Sequence, residues 1–409
     1  MKFNGNVYVH ADWALGGGDV TARAMAEDKC VCLYGHSFSN KFYTTADKST
    51  TTGGVLFDLQ SGDNHFYGLV RLSSANKALF PVENNAAGAA ATLNFHGGLV
   101  ADGVNAGTVV GPRLKCTVNV DDVPMQITKY FMGHSYAGSH YPSTLNLNVA
   151  SNVTTRGIMG NANGAKLNTT VPYALFATDT DASGVGFHGS GTWDLCGCDQ
   201  GVNILWSGSA SSVVKSTAAA TVHVRDDRLN KVYQHPTAVD ADPAITTCKV
   251  QVDRMKYQGG VSLSKEGVLD RWMINESTST GMVSVAAGRL IFAVASDESV
   301  TITDPGDTKG KLSYTFTPST GSWPNAAAVA VSGTGILDLR HAKPFPKTAT
   351  LSVDGDETGR IVIPAGVTVK CASLTVNGVP QAKGALTSGV VTGGGVLQVG
   401  PPGLYLFIR

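Results

Sequence analysis

The chain has 409 residues, with 31 basic against 31 acidic side chains and only 15% charged residues. A neutral balance with 43% hydrophobic residues excludes a self-repelling disordered chain and a protein that grips nucleic acid through a basic stripe. The 48 glycines stand well above the usual level of about 7% and point to β-structure with many tight turns.

In chain order, short alternating runs predict strands at Val7-Tyr-Val9, Leu93 and Phe95, Leu145-Asn-Leu-Asn-Val149, Thr221-Val-His-Val224, Val261-Ser-Leu263, Val283-Ser-Val285, Val300-Thr-Ile302, Leu351-Ser-Val353, Val367-Thr-Val369 and Leu374-Thr-Val376. The runs are apolar at every second position and lie between clusters of Gly, Asn, Asp and Ser, which suits strands buried on one face. Helical periodicity is scarce. A helical turn or two is expected at Thr21 to Asp28, and a small-residue turn at Ala86 to Ala91.

A single compact core rarely exceeds about 250 to 300 residues, yet no linker interrupts the even Gly, Ser, Thr and Asn content. Repeats resolve this conflict, because a stacked core grows in one dimension. A glycine followed by alternating large apolar residues recurs at Gly191, Gly288, Gly335, Gly359 and Gly395, at separations of 97, 47, 24 and 36 residues. The first three separations approximate four, two and one multiples of about 24 residues, a plausible repeat length. Gly35-His-Ser-Phe38 with Tyr43 and Gly133-His-Ser-Tyr136 with Tyr141 lie 98 residues apart, which suggests equivalent corners of distant coils.

The predicted fold is therefore all-β, a right-handed single-stranded parallel β-helix of pectin-lyase-like architecture. It would hold roughly 12 to 16 coils of about 24 to 30 residues. One continuous stack is expected over residues 1–400, clearest over 280–400, with residues 401–409 as a terminal capping strand or tail.

Seven cysteines are odd in number and too sparse for a disulfide scaffold. Cys30/Cys32 and Cys196/Cys198 have the spacing of residues that share one strand face, and they are read as stacked small side chains, with a disulfide as the other reading. The spacing does not suit a zinc site, and no metal or cofactor is expected. No apolar run follows Lys2 in the manner of a secretory signal, and because the first residues already read as strand and turn, the chain is expected to start inside a longer array. No apolar stretch is long enough for a membrane-spanning helix.

The segments Trp323 to Leu339, Ile363 to Val369, Leu374 to Gln381 and Gly393 to Gly400 together resemble the autotransporter-associated β-strand repeat of large bacterial surface and secreted proteins. The resemblance covers roughly the last 120 residues. It implies a parallel β-helix displayed extracellularly or at the cell surface. A self-exporting member would end in a membrane β-barrel, and the ending Gly403 to Arg409 departs from that pattern.

Candidate chemistry is sparse. Gly133-His-Ser-Tyr-Ala137 has alanine where a nucleophile elbow needs glycine. The carboxylates of Asp121-Asp122, Asp179/Asp181 and Asp226-Asp227 read as turn or surface residues, because neighbours on a strand face opposite ways. Phe95-His-Gly97 and Phe187-His-Gly189 precede Asp226-Asp227, whereas polygalacturonase-like enzymes order these elements the other way. Val353-Asp-Gly-Asp-Glu357 reads as a solvated turn, since it lacks a calcium loop's ligand set. The candidate ligand face comprises His36, Phe38, Tyr43, His134, Tyr136, His140 and Tyr141, whose rings could stack on sugars while the imidazoles bond hydroxyls. The expected function is a non-catalytic stalk or adhesin-like surface protein with glycan or protein partners and no nucleic acid. The alternative is a polysaccharide lyase or glycoside hydrolase, bacterial or phage-tailspike-like, on the same fold.

Overall fold

A computed structural model describes residues 2–3, 7–24, 31–46, 54–55, 57–73, 78–79, 91–102, 109–110, 115–121, 125–127, 129–132, 135–136, 139–140, 142–148, 153–155, 158–160, 163–175, 184–225, 250–295, 300–303, 313–316, 319–356 and 358–400. All the regular structure among them is β, and most strand pairs are parallel. The helical turn expected at Thr21 is instead part of strand Val20–Ala24, which pairs with Phe42–Ala46 over its whole length. Partners on both sides of this strand outweigh its local helical bias. No helix among the described residues is long and apolar enough to cross a membrane. The expected capping tail at 401–409 lies outside the described residues.

Contacts divide the chain into two compact units, Met1–Val202 with Ser207–Ser212, and Asn203–Trp206 with Val213–Arg409. In the first, successive passages of the chain visit three sides in the same cyclic order. One sheet runs in parallel through Ser37–Phe38, Asp63–Phe66, Thr92–Phe95, Thr117–Asp121, Thr144–Asn148, Ala165–Thr169 and Gly191–Asp194. A second runs from Lys2–Phe3 through Val20–Ala24, Phe42–Ala46, Val70–Ser73, Leu99–Asp102 and Met125–Ile127 to Val153–Thr155. The third side is built from shorter strands, among them Val7–Val9, Val31–Leu33 and Phe57–Leu59. This order is compatible with a parallel β-helix.

Alternation explains the packing. In the first sheet Phe38, Phe66, Phe95, Val120, Leu147 and Thr169 share one register column, and all six are fully buried. The polar end of the column is satisfied, because the Trp193 indole N–H donates to Thr169 Oγ1 at 3.1 Å. The neighbouring column of Leu93, Val118, Leu145, Leu167 and Trp193 begins with buried Asn64. Its Oδ1 accepts the Gly35 N–H at 2.9 Å, and its Nδ2 donates to the carbonyls of Gly62 and Thr92. This one amide ties two corners together, where an apolar side chain would leave buried backbone groups unpaired.

The second unit follows the same logic. Val213–Val224, Lys256–Lys265, Val283–Val285, Ala328–Val331, Thr350–Val353 and Ser373–Val376 form one parallel run. Val250–Asp253, Asp270–Met273, Arg289–Phe292, Ile336–Leu339, Ile361–Val362 and Val391–Thr392 form another. Gly288, Gly335 and Gly359 occupy equivalent corners ahead of paired strands, so the recurring glycine marks a real repeat here. The 47 residues between Gly288 and Gly335 are nevertheless one passage and not the two expected. Arg289–Phe292 pairs directly with Ile336–Leu339, and the surplus chain includes an antiparallel hairpin of Val300–Thr303 with Ser313–Phe316.

Lys265 is fully buried in an otherwise apolar column with Val224, Val285, Val331, Val353 and Val376. Its ammonium donates to the carbonyls of Gly267 at 2.5 Å and Ala287 at 2.9 Å. A Cβ on Gly288, whose φ is +63°, would lie 2.8 Å from that nitrogen, so the corner glycine makes room for the lysine as well as for the turn. Short antiparallel strands end two of this unit's sheets: Val379–Pro380 on Ser373–Val376, and Gly384–Leu386 on Val396–Val399.

His223 and Ser264 are cross-strand neighbours and both bond Glu266, at 2.5 and 2.9 Å. The His223 hydrogen bond comes first among the causes that hold the Glu266 carboxyl below its ordinary value of 4.5. A depressed carboxyl stabilises the fold above the unfolded-state value and loses that contribution as pH falls through the folded one. Glu266→Gln should therefore lower the melting temperature slightly at neutral pH, with the difference from wild type closing below about pH 4. A pH series of thermal melts checks this, and a difference that persists at low pH would contradict it.

Candidate functional site

The outward face of the first unit's long sheet carries three polar rows. Thr92, Thr117, Thr144 and Lys166 form the first, continuing to Thr192. His65, Asn94, Asn119, Asn146, Asn168 and Asp194 form the second. The third continues the same register through Tyr67, His96, Asp121, Asn148 and Thr170.

The second row is an amide ladder. Asn119 Nδ2 donates to Asn94 Oδ1, Asn146 to Asn119, and Asn168 to Asn146, each at 2.6 Å. The partners are 25, 27 and 22 residues apart in sequence, which is the observed repeat length. In-register stacking places identical side chains at strand spacing, about 4.8 Å, close enough to bond one another. The ladder is thus first a device that holds register.

At one end the ladder meets an aromatic platform. The His65 and His96 rings lie 5.3 Å apart and nearly parallel, and Tyr67 stacks on His96 at 4.7 Å. Trp13 lies 6.1 Å from Tyr67. Trp13 and Tyr67 are 49% and 52% exposed, an unusual position for rings already stacked on neighbours. Trp13 also holds φ at +59°, a left-handed conformation that bulky residues rarely adopt outside functional or strained sites. The turn is pinned there, because Trp13 N–H donates to Ser37 O at 3.1 Å and Asp12 Oδ1 accepts the Ser37 N–H at 2.8 Å. That same bond is the leading cause that lowers the Asp12 carboxyl from its ordinary value.

Close approach of the backbone sets the platform's edge. A Cβ on Gly97 would meet Gly68 C and Tyr67 O at 2.4 Å, and one on Gly68 would meet Asn40 O at 2.1 Å. Only glycines allow these corners to stack so tightly. They turn the chain immediately after Tyr67 and His96.

Hydrogen bonds orient the imidazoles. His96 Nδ1 lies 3.2 Å from Asp121 Oδ2, and His96 Nε2 lies 3.0 Å from His65 Nδ1. A carboxylate accepts only, so neutral His96 carries its proton on Nδ1 and receives one from His65 Nδ1. His65 Nε2 is then an acceptor. Asn148 Nδ2 donates to Asp121 Oδ1 at 2.5 Å, and Thr170 Oγ1 donates to Asn148 Oδ1. The arrangement offers ring faces beside an ordered series of acceptors and amides. Among the described residues no group of three or more His, Cys, Asp or Glu is disposed to hold a metal ion.

The chain matches no family model, no curated protein and no solved structure. The likeness to the autotransporter-associated repeat rests on the sequence motifs alone.

The structure separates the candidate residues read from sequence. His36 borders the platform and lies 3.3 Å from Asp12. Phe38 is fully buried, stacked on Phe66 at 5.2 Å, so its ring serves the core and is closed to a ligand. Tyr43 stands on the second sheet, paired with Arg71 and Thr21. Tyr136 and His140 fall in a small antiparallel hairpin, Ser135–Tyr136 with Ser139–His140. His134 and Tyr141 lie outside the described residues. Ser37–Phe38 thus pairs within the long parallel sheet, whereas Ser135–Tyr136 pairs within the hairpin.

Sequence reading missed His65, Tyr67 and Trp13. A signal existed in Asn64-His65-Phe66-Tyr67-Gly68 and Asn94-Phe95-His96-Gly97. Aligning the two on asparagine misplaces them by one residue, however, because Phe66 pairs with Phe95 and His65 with Asn94.

Proposed function

We propose that this chain is a non-catalytic, right-handed parallel β-helix of a secreted or cell-surface protein, adhesin- or stalk-like, that binds glycan on the outer face of the first unit's long sheet. The observation that carries the reading is the exposed aromatic platform of Trp13, Tyr67, His96 and His65 beside the amide ladder. Aromatic faces pack on the apolar faces of pyranose rings, while the acceptors and amides alongside bond the hydroxyls. The carboxylates of Asp12, Asp63 and Asp121 around the platform favour a neutral over an acidic glycan. The extracellular placement draws on the sequence resemblance.

The test is binding of the full chain to a panel of neutral and acidic oligosaccharides. A neutral ligand is expected, and Trp13→Ala and Tyr67→Ala should each weaken it roughly tenfold, about 1.4 kcal/mol. A silent panel, or binding indifferent to both changes, would overturn the reading.

A second reading draws on the Asp121–His96–His65 series, which is also how a general base is oriented. A polysaccharide lyase or glycoside hydrolase would release reducing ends from the bound glycan and lose that activity in His65→Gln. Binding without cleavage favours the first reading.

A further inference from the structure

Cys196 and Cys198 were expected to stack on one strand face, but they lie beyond the strand Gly191–Asp194, in a tight turn. The Cys198 N–H donates to Leu195 O at 2.8 Å, and the two central residues, Cys196 and Gly197, have φ of +51° and +80°. This is the left-handed turn that favours Asn-Gly or Gly-Gly. A cysteine at its first central position costs backbone energy that asparagine would not. Asp194 holds the conformation, accepting the Cys196 N–H on Oδ1 at 2.9 Å.

The two thiols also differ from the others described. Cys196 is exposed and Cys198 half-buried, while Cys32, Cys116 and Cys371 are buried. Burial pushes the Cys116 thiol up to about 12 and the Cys371 thiol to about 11, which suppresses their thiolates at neutral pH. A tight turn brings the α-carbons of residues two apart close together, which suits the span a disulfide needs, about 4.4 to 6.8 Å. The Cys198 thiol lies 3.8 Å from Cys196 O and the Cys196 thiol 3.7 Å from Asp194 O, so both are held at the turn by weak bonds to its backbone.

We propose that Cys196-Gly197-Cys198 is a reversible dithiol–disulfide site that exchanges with low-molecular-weight disulfides. The exposed Cys196 thiolate attacks a sulfur of the small disulfide, forming a mixed disulfide and expelling one thiolate. The Cys198 thiolate then attacks Cys196 Sγ, closing the ring within the turn and expelling the second. The protein loses two electrons and two protons, and the small disulfide becomes two thiols. A ring this small is strained, so the bond is readily reduced again.

The test equilibrates the full chain in glutathione buffers of increasing oxidised fraction, traps thiols by alkylation, and maps the peptides by mass spectrometry. The expected result is joint loss of alkylation at Cys196 and Cys198, with a bond linking the two and full recovery on return to reduced glutathione. Cys196→Ser and Cys198→Ser should each stop at a glutathione adduct on the remaining cysteine. The proposal is overturned if both thiols stay alkylatable, if wild type also stops at the adduct, or if either cysteine pairs elsewhere in the chain.

Discussion

Arg271→Met is expected to destabilise the second unit by about 3–5 kcal/mol, the usual result of stripping one partner from a buried ion pair. Arg271 and Asp253 are both fully buried, with Nη1 to Oδ2 at 2.6 Å. They meet because Arg271 pairs with Gln251 across parallel strands, which sets Asp253 diagonally on the same face. The Tyr257 hydroxyl donates to Asp253 Oδ2 at 2.6 Å, the Met255 N–H to Oδ1 at 2.8 Å, and Arg271 Nη2 to Leu205 O at 3.1 Å. Removing the guanidinium leaves a carboxylate with hydrogen bonds but no counter-charge. Asp253→Asn added to Arg271→Met should recover part of the loss, since the amide needs no counter-charge. Urea melts followed by tryptophan fluorescence, with Trp272 and Trp323 in this unit, measure both. A single variant within about 1 kcal/mol of wild type would contradict the account.

Phe66→Ala is expected to cost a similar amount, about 3–5 kcal/mol, and to reach the aromatic platform as well. Its ring is stacked between Phe38 at 5.2 Å and Phe95 at 5.3 Å, and meets Phe57 at 4.7 Å and Phe42 at 5.4 Å. His65 and Tyr67 flank it on the strand and face outward, so a cavity beneath them loosens the platform. Tyr67→Ala, by contrast, removes an exposed ring and should change stability by no more than about 0.5 kcal/mol. Thermal melts and glycan binding measured on both variants separate support from contact. Phe66→Ala should lose both properties, Tyr67→Ala only binding. Equal stability of the two variants would show that the aromatic stack is not what holds this face.

The class of structure was legible because it depends on local alternation. Leu145-Asn-Leu-Asn specifies a strand with apolar residues inward and amides outward, whatever its partners. The parallel pairing is echoed by the recurring glycine at Gly288, Gly335 and Gly359. What escaped depends on register between distant segments. Lys265 reads as a surface residue until its column is known, and Asp253 with Arg271 reads as two unrelated charges. The platform escaped for the same reason: His65, Tyr67 and His96 become neighbours only through the pairing of Phe66 with Phe95, and Trp13 joins them through a turn of unusual backbone conformation. Cys196 and Cys198 were misread because a spacing of two has one meaning on a strand and another in a turn.

The hairpin carried between Gly288 and Gly335 has an evolutionary consequence. The passage that contains it keeps its strands in register with neighbours on either side, so chain can be added at that corner without disturbing the ladder. Selection on such a frame acts on columns of side chains of like shape, while a corner such as this one accommodates an added segment. Two descendants of one ancestor could then keep the same cross-section and share little alignable sequence. The same latitude makes this corner a natural place to graft a foreign peptide, with the flanking strands Arg289–Phe292 and Ala328–Val331 as its fixed anchors.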